Sequence, residues 1–170
     1  EVGFIMGLVK RYLIEEMDFY RQNGIRIRHA GDFDGLPADI QKELRRAILD
    51  TREFPGLQVI LALNYGGRDE ICRAVGRMQR DRGAAGKAPA EDAIRRYLDN
   101  PDVPDPDLVI RTAGEYRTSN FLLWEAAYSE YYISDILWPD WTEADFKTAA
   151  ADFQKRERRY GGVPQGADKP

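Results

Sequence analysis

The sequence predicts an α/β fold in which a mostly parallel central sheet is flanked by helices. Stretches with strand character recur at 25–30, 57–65, 107–112 and 131–138, and segments with helical periodicity lie between them. This alternation is typical of layered α/β structures. The stretch 57–65, LQVILALNY, is apolar almost throughout, which indicates a strand buried on both faces in the middle of a parallel sheet.

The first elements follow from local patterns. Apolar residues recur at helical spacing over 2–22, and Gly24 ends this predicted helix. IRIRHA, at 25–30, alternates as a strand does. After a loop over 31–37, a second helix is predicted over 38–52. Its apolar face is formed by Ile40, Leu44, Ala47 and Ile48.

The middle of the chain continues the alternation. Gly66 and Gly67 break the strand 57–65, and a helix is predicted over 68–81. The small-residue loop GAAGKAPA, at 83–90, is expected to be a mobile surface segment. A short helix around 91–98 then leads into a Pro- and Asp-rich turn region.

The last part of the chain repeats the pattern once more. A polar loop follows the strand 107–112, and FLLWEAAY, at 121–128, is predicted to be a helix. After the last strand, Thr142 and Asp145 are spaced as in a capping box and predict the start of the final helix. We expect this helix to continue as far as Gly161.

The composition is typical of one globular domain. The 170 residues are 43% hydrophobic and 32% charged, and a chain of this length can bury a sizeable core. We expect a single domain over 1–162 and a disordered tail over 163–170. The single cysteine, Cys72, excludes an internal disulfide framework and favours a reducing compartment, so a cytoplasmic location is expected.

The charge and hydropathy of the chain exclude two classes of partner. The net charge is −4, which predicts no broad basic surface and therefore no nucleic acid partner. No stretch approaches the roughly 18 unbroken apolar residues that a membrane span needs. Any anion-binding site must therefore be local.

The loop RTAGEYRTSN, at 111–120, is the strongest candidate for such a site. Ligands of open α/β sheets bind beyond the carboxyl ends of strands, and this loop follows a strand directly. Arg111 and Arg117 supply guanidinium groups that bind phosphate oxygens bidentately. Ser119 lies at the start of the predicted helix, where the helix dipole favours an anion. These features together suit a diphosphate.

The alternative for the same arginines is ordinary surface ion pairing. Acidic residues nearby in the sequence could supply the partners, namely Asp107, Glu115 and Glu125. Composition alone does not separate the two interpretations, and the position between a strand and a predicted helix favours a site.

A second loop, NYGGRDE at 64–70, has the same placement after a strand. Its Gly pair permits a close backbone approach to an anion, and Asn64 and Arg68 would border that position. A plain tight turn, with Arg68 paired to Asp32 or Asp69, is the simpler interpretation.

Glu130 is the candidate metal ligand. It lies among aromatic residues between a predicted helix and a strand, where a carboxylate needs a cation, a partner or a raised pKa. Mg²⁺ is commonly held by one carboxylate together with substrate phosphates. A buried glutamate satisfied by an arginine is the alternative.

Other catalytic classes find no support. His29 is the only histidine and has no cysteine or histidine partner nearby, so it predicts no zinc site. A GxSxG motif is absent, which argues against a serine hydrolase. Neither a Walker loop nor a GxGxxG motif is present.

Three segments resemble one known family. DLVIRTAGEYRTSNFLLWEAAYSEYYISDILWPDW is similar to the signature of the cis-prenyltransferases, LNYGGRDEI to a second segment and RERRYGG to their carboxyl-terminal segment. The likeness covers essentially the whole chain, in the order found in the family, and is close to the bacterial undecaprenyl diphosphate synthases. It implies a cis-prenyltransferase-like fold.

The resemblance also implies an activity and a set of roles. The activity is the Mg²⁺-dependent condensation of isopentenyl diphosphate with an allylic diphosphate such as farnesyl diphosphate, which gives a long polyprenyl diphosphate for a cell-wall lipid carrier. Arg111, Arg117 and Ser119 would bind the isopentenyl diphosphate, with Glu115 beside them, and Glu130 would hold Mg²⁺. A homodimer is implied, in which Arg159 and Gly161 complete the partner's diphosphate site. The product would associate with a membrane.

The sequence departs from the family at two places. Ala113 stands where the family usually has Gly, which matters if that residue needs a positive φ. A DGNGRWA-type phosphate loop, which carries the family's catalytic Asp, is not present, and neither is the SxENW-like segment. We therefore expect this chain alone to be inactive. The alternative is a non-catalytic partner subunit that lends its RRYGG segment to another chain's active site.

Overall fold

The structure, a computed structural model, describes residues 2–82 and 91–157. The chain divides into two compact units, Glu1–Val103 and Pro104–Pro170. Each unit contains one two-stranded parallel sheet with helices, so the predicted α/β class with parallel strands is confirmed. The single domain predicted for 1–162 stays a prediction. The loop 83–90 and the tail 163–170 lie outside the described residues.

The first unit begins with two helices and then alternates strands with helices. Its elements are α1 (Val2–Glu15), α2 (Met17–Gln22), β1 (Arg26–Ala30), α3 (Ala38–Thr51), β2 (Gln58–Ala62), α4 (Gly67–Arg82) and α5 (Glu91–Arg95). The predicted first helix is thus divided at Glu16, and the other predicted elements of this unit are found close to their expected bounds.

The sheet of the first unit is a β–α–β crossover. β1 and β2 pair in parallel from Arg26 opposite Gln58 to Ala30 opposite Ala62, and α3 connects them. Its apolar residues recur at helical spacing, so one face of the helix is buried against the unit's core. That core is formed by Leu13, Met17, Ile25, Ile27, Leu36, Ile40, Leu44 and Ala47.

The prediction that β2 is buried on both faces was wrong. Gln58 and Ala62 are exposed, and Val59, Ile60 and Leu61 are only partly buried. Burial on both faces requires elements packed on each face of the strand. Among the described elements, the main contacts of β2 are with its partner strand β1.

Among the described residues, the second unit contains fewer helices and strands than the first. Its elements are β3 (Leu108–Arg111), a 3₁₀ helix (Glu125–Tyr128), β4 (Glu130–Ile133), a second 3₁₀ helix (Trp138–Asp140) and α6 (Glu143–Gln154). β3 and β4 pair in parallel, with Leu108 opposite Glu130 and Arg111 opposite Ile133.

The helix predicted over 121–128 does not form. Ser119, Asn120 and Leu122 have φ values of 50°, 62° and 45°, and left-handed residues interrupt the hydrogen bonds of a right-handed helix. One short 3₁₀ helix remains at Glu125–Tyr128.

The final helix begins as predicted and ends early. The Thr142 side chain accepts from the Asp145 N–H, and the Asp145 carboxylate accepts from the Thr142 N–H, which confirms the capping box. α6 ends at Gln154, where tighter turns bond the N–H groups of Lys155 and Arg156 to carbonyls three residues earlier. Among the described helices, none has the length and apolar character that crossing a membrane requires.

Candidate functional site

Backbone hydrogen bonds fix the turn that follows β3. The carbonyl of Arg111 accepts from the N–H of Ser134 at 2.8 Å, and the N–H groups of Ala113 and Gly114 donate to Ile136 and Ser134, each at 2.9 Å. The chain leaving the strand is therefore held at the carboxyl end of the β3–β4 pair, where ligands of parallel sheets bind.

This turn uses two consecutive left-handed residues. Ala113 has φ 60° and Gly114 has φ 63°. Glycine adopts this conformation freely, whereas an alanine in it costs roughly 1–2 kcal/mol. Ala113 is therefore strained, and the sequence departure noted at this position concerns a residue that does need a positive φ.

The two arginines of the loop converge on one carboxylate. Arg117 Nε lies 2.7 Å from Glu115 Oε2, and Arg117 Nη2 donates to Oε1 at 2.8 Å. Arg111 Nη2 lies 3.9 Å from the same Oε2 atom. The hydrogen bond from Arg117 lowers the pKa of Glu115, and the charge of Arg111 adds to this effect. The ion pairing considered from the sequence is thus present, and it shows that both guanidinium groups can reach one anion.

Arg111 has donor capacity left over. Its side chain is 22% exposed, and its Nε atom is buried without a hydrogen-bond partner among the described atoms. Buried donors are nearly always bonded in native proteins. A further anionic group beside Arg111 would satisfy this donor.

Ser119 is placed differently from the prediction. It is exposed and has a left-handed backbone, and the segment after it is not an α-helix. The argument that a helix dipole favours an anion at this position was therefore wrong. What Ser119 offers is an accessible hydroxyl in the same loop as the arginines.

Glu130 is not brought together with the arginines within this chain. It pairs with Leu108 at the opposite end of the strand ladder from Arg111, which separates the two backbones by about 10 Å along the strands. Because side chains alternate along a strand, Glu130 and Arg111 also point to opposite faces. Arg156 Nη1 lies 3.1 Å from Glu130 Oε2, which gives the arginine partner of the alternative interpretation. The Glu130 side chain is 35% exposed, however, and not buried as that alternative expected.

The described residues do not assemble a magnesium site around the loop. They contain no group of three acidic, histidine or cysteine side chains suited to a metal ion. Glu130, the predicted ligand, has an arginine on one oxygen and faces away from Arg111. A site made of one carboxylate and substrate phosphates needs no such group, so Glu130 as the Mg²⁺ ligand stays a prediction.

The second predicted loop lines a cleft in the first unit. The cleft has a volume of about 310 Å³ and is lined by Asp32, Asn64, Tyr65, Gly66 and Asp69. It lies where β1 and β2 end, which is the placement expected for a ligand of a parallel sheet.

Hydrogen bonds join the two strand ends beneath this cleft. The N–H of Asp32 donates to the carbonyl of Asn64 at 3.0 Å, and Asn64 Nδ2 donates to the carbonyl of Asp32 at 3.0 Å. Asn64 adopts φ 49° to make this arrangement. Arg68 is exposed, while Asp69 is bound by Arg73 at 2.7 Å.

Sequence reasoning did not identify a buried carboxylate beside these strand ends. Asp99 accepts from the backbone N–H of Gly31 at 2.8 Å and pairs with Arg73 and Arg77 of α4. A signal was present, because Glu70, Arg73 and Arg77 are spaced to share one face of their helix. The partner on that face, Asp99, is distant in sequence and carries no local signature.

His29 has structural contacts. Its Nε2 atom lies 2.9 Å from the carbonyl oxygen of Leu63, and its ring contacts Phe33 edge-on at 5.5 Å between centroids. Burial lowers its pKa. These contacts give His29 a packing role. Arg159 and Gly161, predicted to reach a partner chain, lie outside the described residues.

Comparison with known proteins identifies relatives along nearly the whole chain. A protein-family model described as "Putative undecaprenyl diphosphate synthase" matches residues 1–161. An isoprenyl transferase of Treponema denticola is 47% identical over 163 residues, which cover 96% of this chain and 70% of the relative. One of Thermotoga maritima is 46% identical over 167 residues, covering 98% and 72%.

Solved structures give the same result for the fold. A probable undecaprenyl diphosphate synthase from Campylobacter jejuni is 34% identical with a TM-score of 0.84, covering 95% of this chain and 74% of its own. Lavandulyl diphosphate synthase from Lavandula x intermedia, solved with dimethylallyl diphosphate, is 32% identical with a TM-score of 0.89, covering 95% and 71%. The chain therefore belongs to the undecaprenyl diphosphate synthase family of cis-prenyltransferases.

Proposed function

We propose that this chain belongs to a cis-prenyltransferase that condenses isopentenyl diphosphate with an allylic diphosphate of the farnesyl type to give a long polyprenyl diphosphate. The expected inactivity of this chain by itself remains a prediction. The observation that carries the proposal is the convergence of two guanidinium groups on one carboxylate at the end of β3. Family membership supplies the reaction class, and the complex of lavandulyl diphosphate synthase with dimethylallyl diphosphate supports an allylic diphosphate as substrate.

In this proposal the second unit binds and orients the isopentenyl unit. Arg111 and Arg117 donate to its diphosphate oxygens in place of Glu115, and the buried Nε of Arg111 gains an acceptor. Ser119 adds a hydroxyl donor. Fixing the diphosphate aligns the isopentenyl double bond for attack on the allylic carbon. The allylic C–O bond breaks and releases diphosphate, a C–C bond forms, and a proton leaves the isopentenyl unit.

A divalent cation belongs to the proposal as a requirement of the reaction. The two diphosphates supply oxygen ligands of the kind that Mg²⁺ prefers. Glu130 lies at the opposite end of the β3–β4 ladder from Arg111, and its role as a ligand of this cation remains a prediction. The homodimer with Arg159 and Gly161, the cytoplasmic location, the membrane-associated product and its role as a cell-wall lipid carrier remain predictions.

Binding of isopentenyl diphosphate tests the proposal directly. Arg117→Ala removes a charge-assisted contact worth about 1.5–3 kcal/mol, so we expect the Kd measured by calorimetry to rise about 10- to 100-fold. Lys147→Ala is the matched control, because Lys147 is also an exposed cation paired with a nearby glutamate, at 2.6 Å. Its Kd should match that of the unaltered protein. Equal Kd values for both variants would remove the loop from the substrate site.

Turnover separates the enzyme from the alternative partner-subunit role. The full-length protein is supplied with labelled isopentenyl diphosphate, farnesyl diphosphate and Mg²⁺, and labelled long-chain product is measured. A partner subunit would bind without forming product until a second, complete chain is added.

A further inference from the structure

Asp99 joins segments of the first unit that are far apart in sequence. Its side chain is 7% exposed and accepts from the backbone N–H of Gly31, which is 68 residues away, at 2.8 Å. Arg73 donates to both carboxylate oxygens at 2.5 and 2.7 Å, and Arg77 donates at 2.9 Å. One carboxylate therefore holds the end of β1 against α4.

The backbone of Asp99 extends this connection to the end of β2. Its N–H donates to Glu70 Oε1 at 2.9 Å, and the hydroxyl of Tyr65 donates to the other oxygen of the same carboxylate. Glu70 is 2% exposed, so both bonds lie in the interior, where an unpaired partner would be costly.

The segments that Asp99 connects are those that line the cleft. Gly31 precedes Asp32, and Tyr65 follows Asn64, so both anchor points are next to or within the lining. The fit is tight, because a Cβ atom on Gly31 would lie 2.2 Å from the carbonyl oxygen of Leu63. A small movement of either strand end would therefore change the shape of the cleft.

The charge state of this group suits a fixed anchor. Burial alone would raise the pKa of Asp99, but hydrogen bonds from Arg73 and Arg77 lower it below its ordinary value. The carboxylate is therefore ionised at neutral pH, and the two guanidinium groups are held by a permanent anion.

We propose that Asp99 is a positioning residue for the reaction: by holding Gly31 and, through Glu70, Tyr65, it fixes the two strand ends whose residues form the cleft of the first unit. The proposal rests on the proposed function, since it makes this cleft part of the substrate-binding surface. Asp99 itself makes no contact with substrate and acts through the strand ends.

Asp102 provides a matched control. It lies three residues further along and forms a similar two-bond pair with Arg28 at 2.6 and 2.7 Å. Neither Asp102 nor Arg28 lines the cleft. Asp102→Asn thus removes an aspartate–arginine pair from the same segment without releasing a strand end.

Steady-state kinetics of the full-length protein give the first measurement. We expect Asp99→Asn and Asp99→Ala to lower kcat at least tenfold. The KM for isopentenyl diphosphate should change less than twofold, because that substrate is assigned to Arg111 and Arg117. Asp102→Asn should leave both constants within twofold. If the Asp99 and Asp102 variants have the same kcat, Asp99 has no positioning role and the proposal is overturned.

Amide hydrogen exchange gives a second measurement that needs no turnover. Exchange in peptides covering 31–35 and 63–66 should become at least tenfold faster in Asp99→Ala than in Asp102→Asn, and equal rates would overturn the proposal. If Asp99→Ala does not fold, Asp99→Asn, which keeps an oxygen to accept from Gly31, is measured instead. If the unaltered protein binds isopentenyl diphosphate but forms no product, the turnover part of the proposed function fails, and exchange alone decides the role of Asp99.

Discussion

The two units of this protein differ in how they use their residues. In the first unit, eight side chains from α1, α2, β1, α3 and the adjoining loops form one buried core. In the described part of the second unit, the buried apolar side chains are Val109 and Ala149. Exposed large apolar side chains occur in both units, among them Phe4 and Leu57 in the first and Tyr116 and Trp138 in the second. The difference between the units therefore lies in the buried core.

The backbones differ in the same sense. In the described residues of the first unit Asn64 is the non-glycine residue with a positive φ, whereas the second unit has Ala113, Ser119, Asn120 and Leu122. Residues in this region cost free energy and persist where the surroundings hold them, often at functional sites. The first unit therefore supplies a packed core, while the second unit holds a polar loop in an unfavourable backbone conformation.

Truncating a core leucine should have the largest effect. Leu44 is fully buried in α3, and Leu44→Ala should lower the free energy of unfolding by about 2–5 kcal/mol. Leu49→Ala, in the same helix at 55% exposure, should cost under about 1 kcal/mol, as should Leu137→Ala in the second unit. Urea titration measures all three. A loss for Leu137→Ala as large as that for Leu44→Ala would contradict the comparison.

Two threonines test whether the same bond is worth more in the first unit. Thr51 donates to the carbonyl of Ala47 at 2.7 Å and accepts from the N–H of Ile27 at 2.9 Å, fully buried. Thr51→Val leaves the N–H of Ile27 buried without an acceptor and should lower the free energy of unfolding by about 1–3 kcal/mol. Thr148 makes the equivalent bond to the carbonyl of Ala144 on an exposed face, so Thr148→Val should change the urea midpoint little. Equal shifts of the urea midpoint would show that burial does not make the Thr51 hydrogen bonds more stabilising than that of Thr148.

The strain in the second unit predicts a stabilising substitution. Ala113→Gly relieves a left-handed alanine, and after the larger entropy of glycine in the unfolded chain the net gain should be about 0.5–1 kcal/mol. The melting temperature should therefore rise. Ala62→Gly, in β2 of the first unit, should lower it by a similar amount because a strand gains nothing from glycine. A lower melting temperature for both variants would show that Ala113 is not strained.

Low pH should reduce the stability of the first unit through protonation of Asp102, by less than the substitutions described above. Hydrogen bonding from Arg28 lowers the pKa of Asp102 to about 2, from an ordinary 3.8. A depressed pKa stabilises the folded state above about pH 3.8, and this contribution is lost as the pH falls toward 2. Asp102 is 60% exposed, so screening should keep the effect below about 1 kcal/mol. The stability gap between Asp102→Asn and the unaltered protein should narrow between pH 6 and pH 3; a constant gap would exclude the ion pair.

The sequence predicted correctly those features of the fold that depend on interactions between residues close together in the chain. The capping box of Thr142 and Asp145, the apolar face of α3 and the strand before Arg111 all depend on neighbours within a few residues. FLLWEAAY contains good helix formers, yet the positive φ of Leu122 overrides that propensity. No local pattern reports such an override.

In the candidate site too, residues close together in sequence were predicted and contacts between distant residues were not. The guanidinium groups of Arg111 and Arg117 were predicted because both lie in one loop, and the structure brings both to Glu115. Asp99 was missed because its partner Gly31 is 68 residues away. The opposite placement of Glu130 and Arg111 depends on the strand register, which a single sequence does not determine.

The long reach between Gly31 and Asp99 has a consequence for how the protein is made. A ribosome adds roughly 5–20 residues per second, so the 68 residues that separate the two take roughly 3–14 s to synthesise. During that interval the nascent chain can pair β1 with β2 and pack α3, but the end of β1 has not met its anchor, and Arg73 and Arg77 emerge as cations without their carboxylate. A pause in translation before Asp99 would lengthen the time for which the unanchored end of β1 is accessible to chaperones and proteases. Faster synthesis would shorten that time.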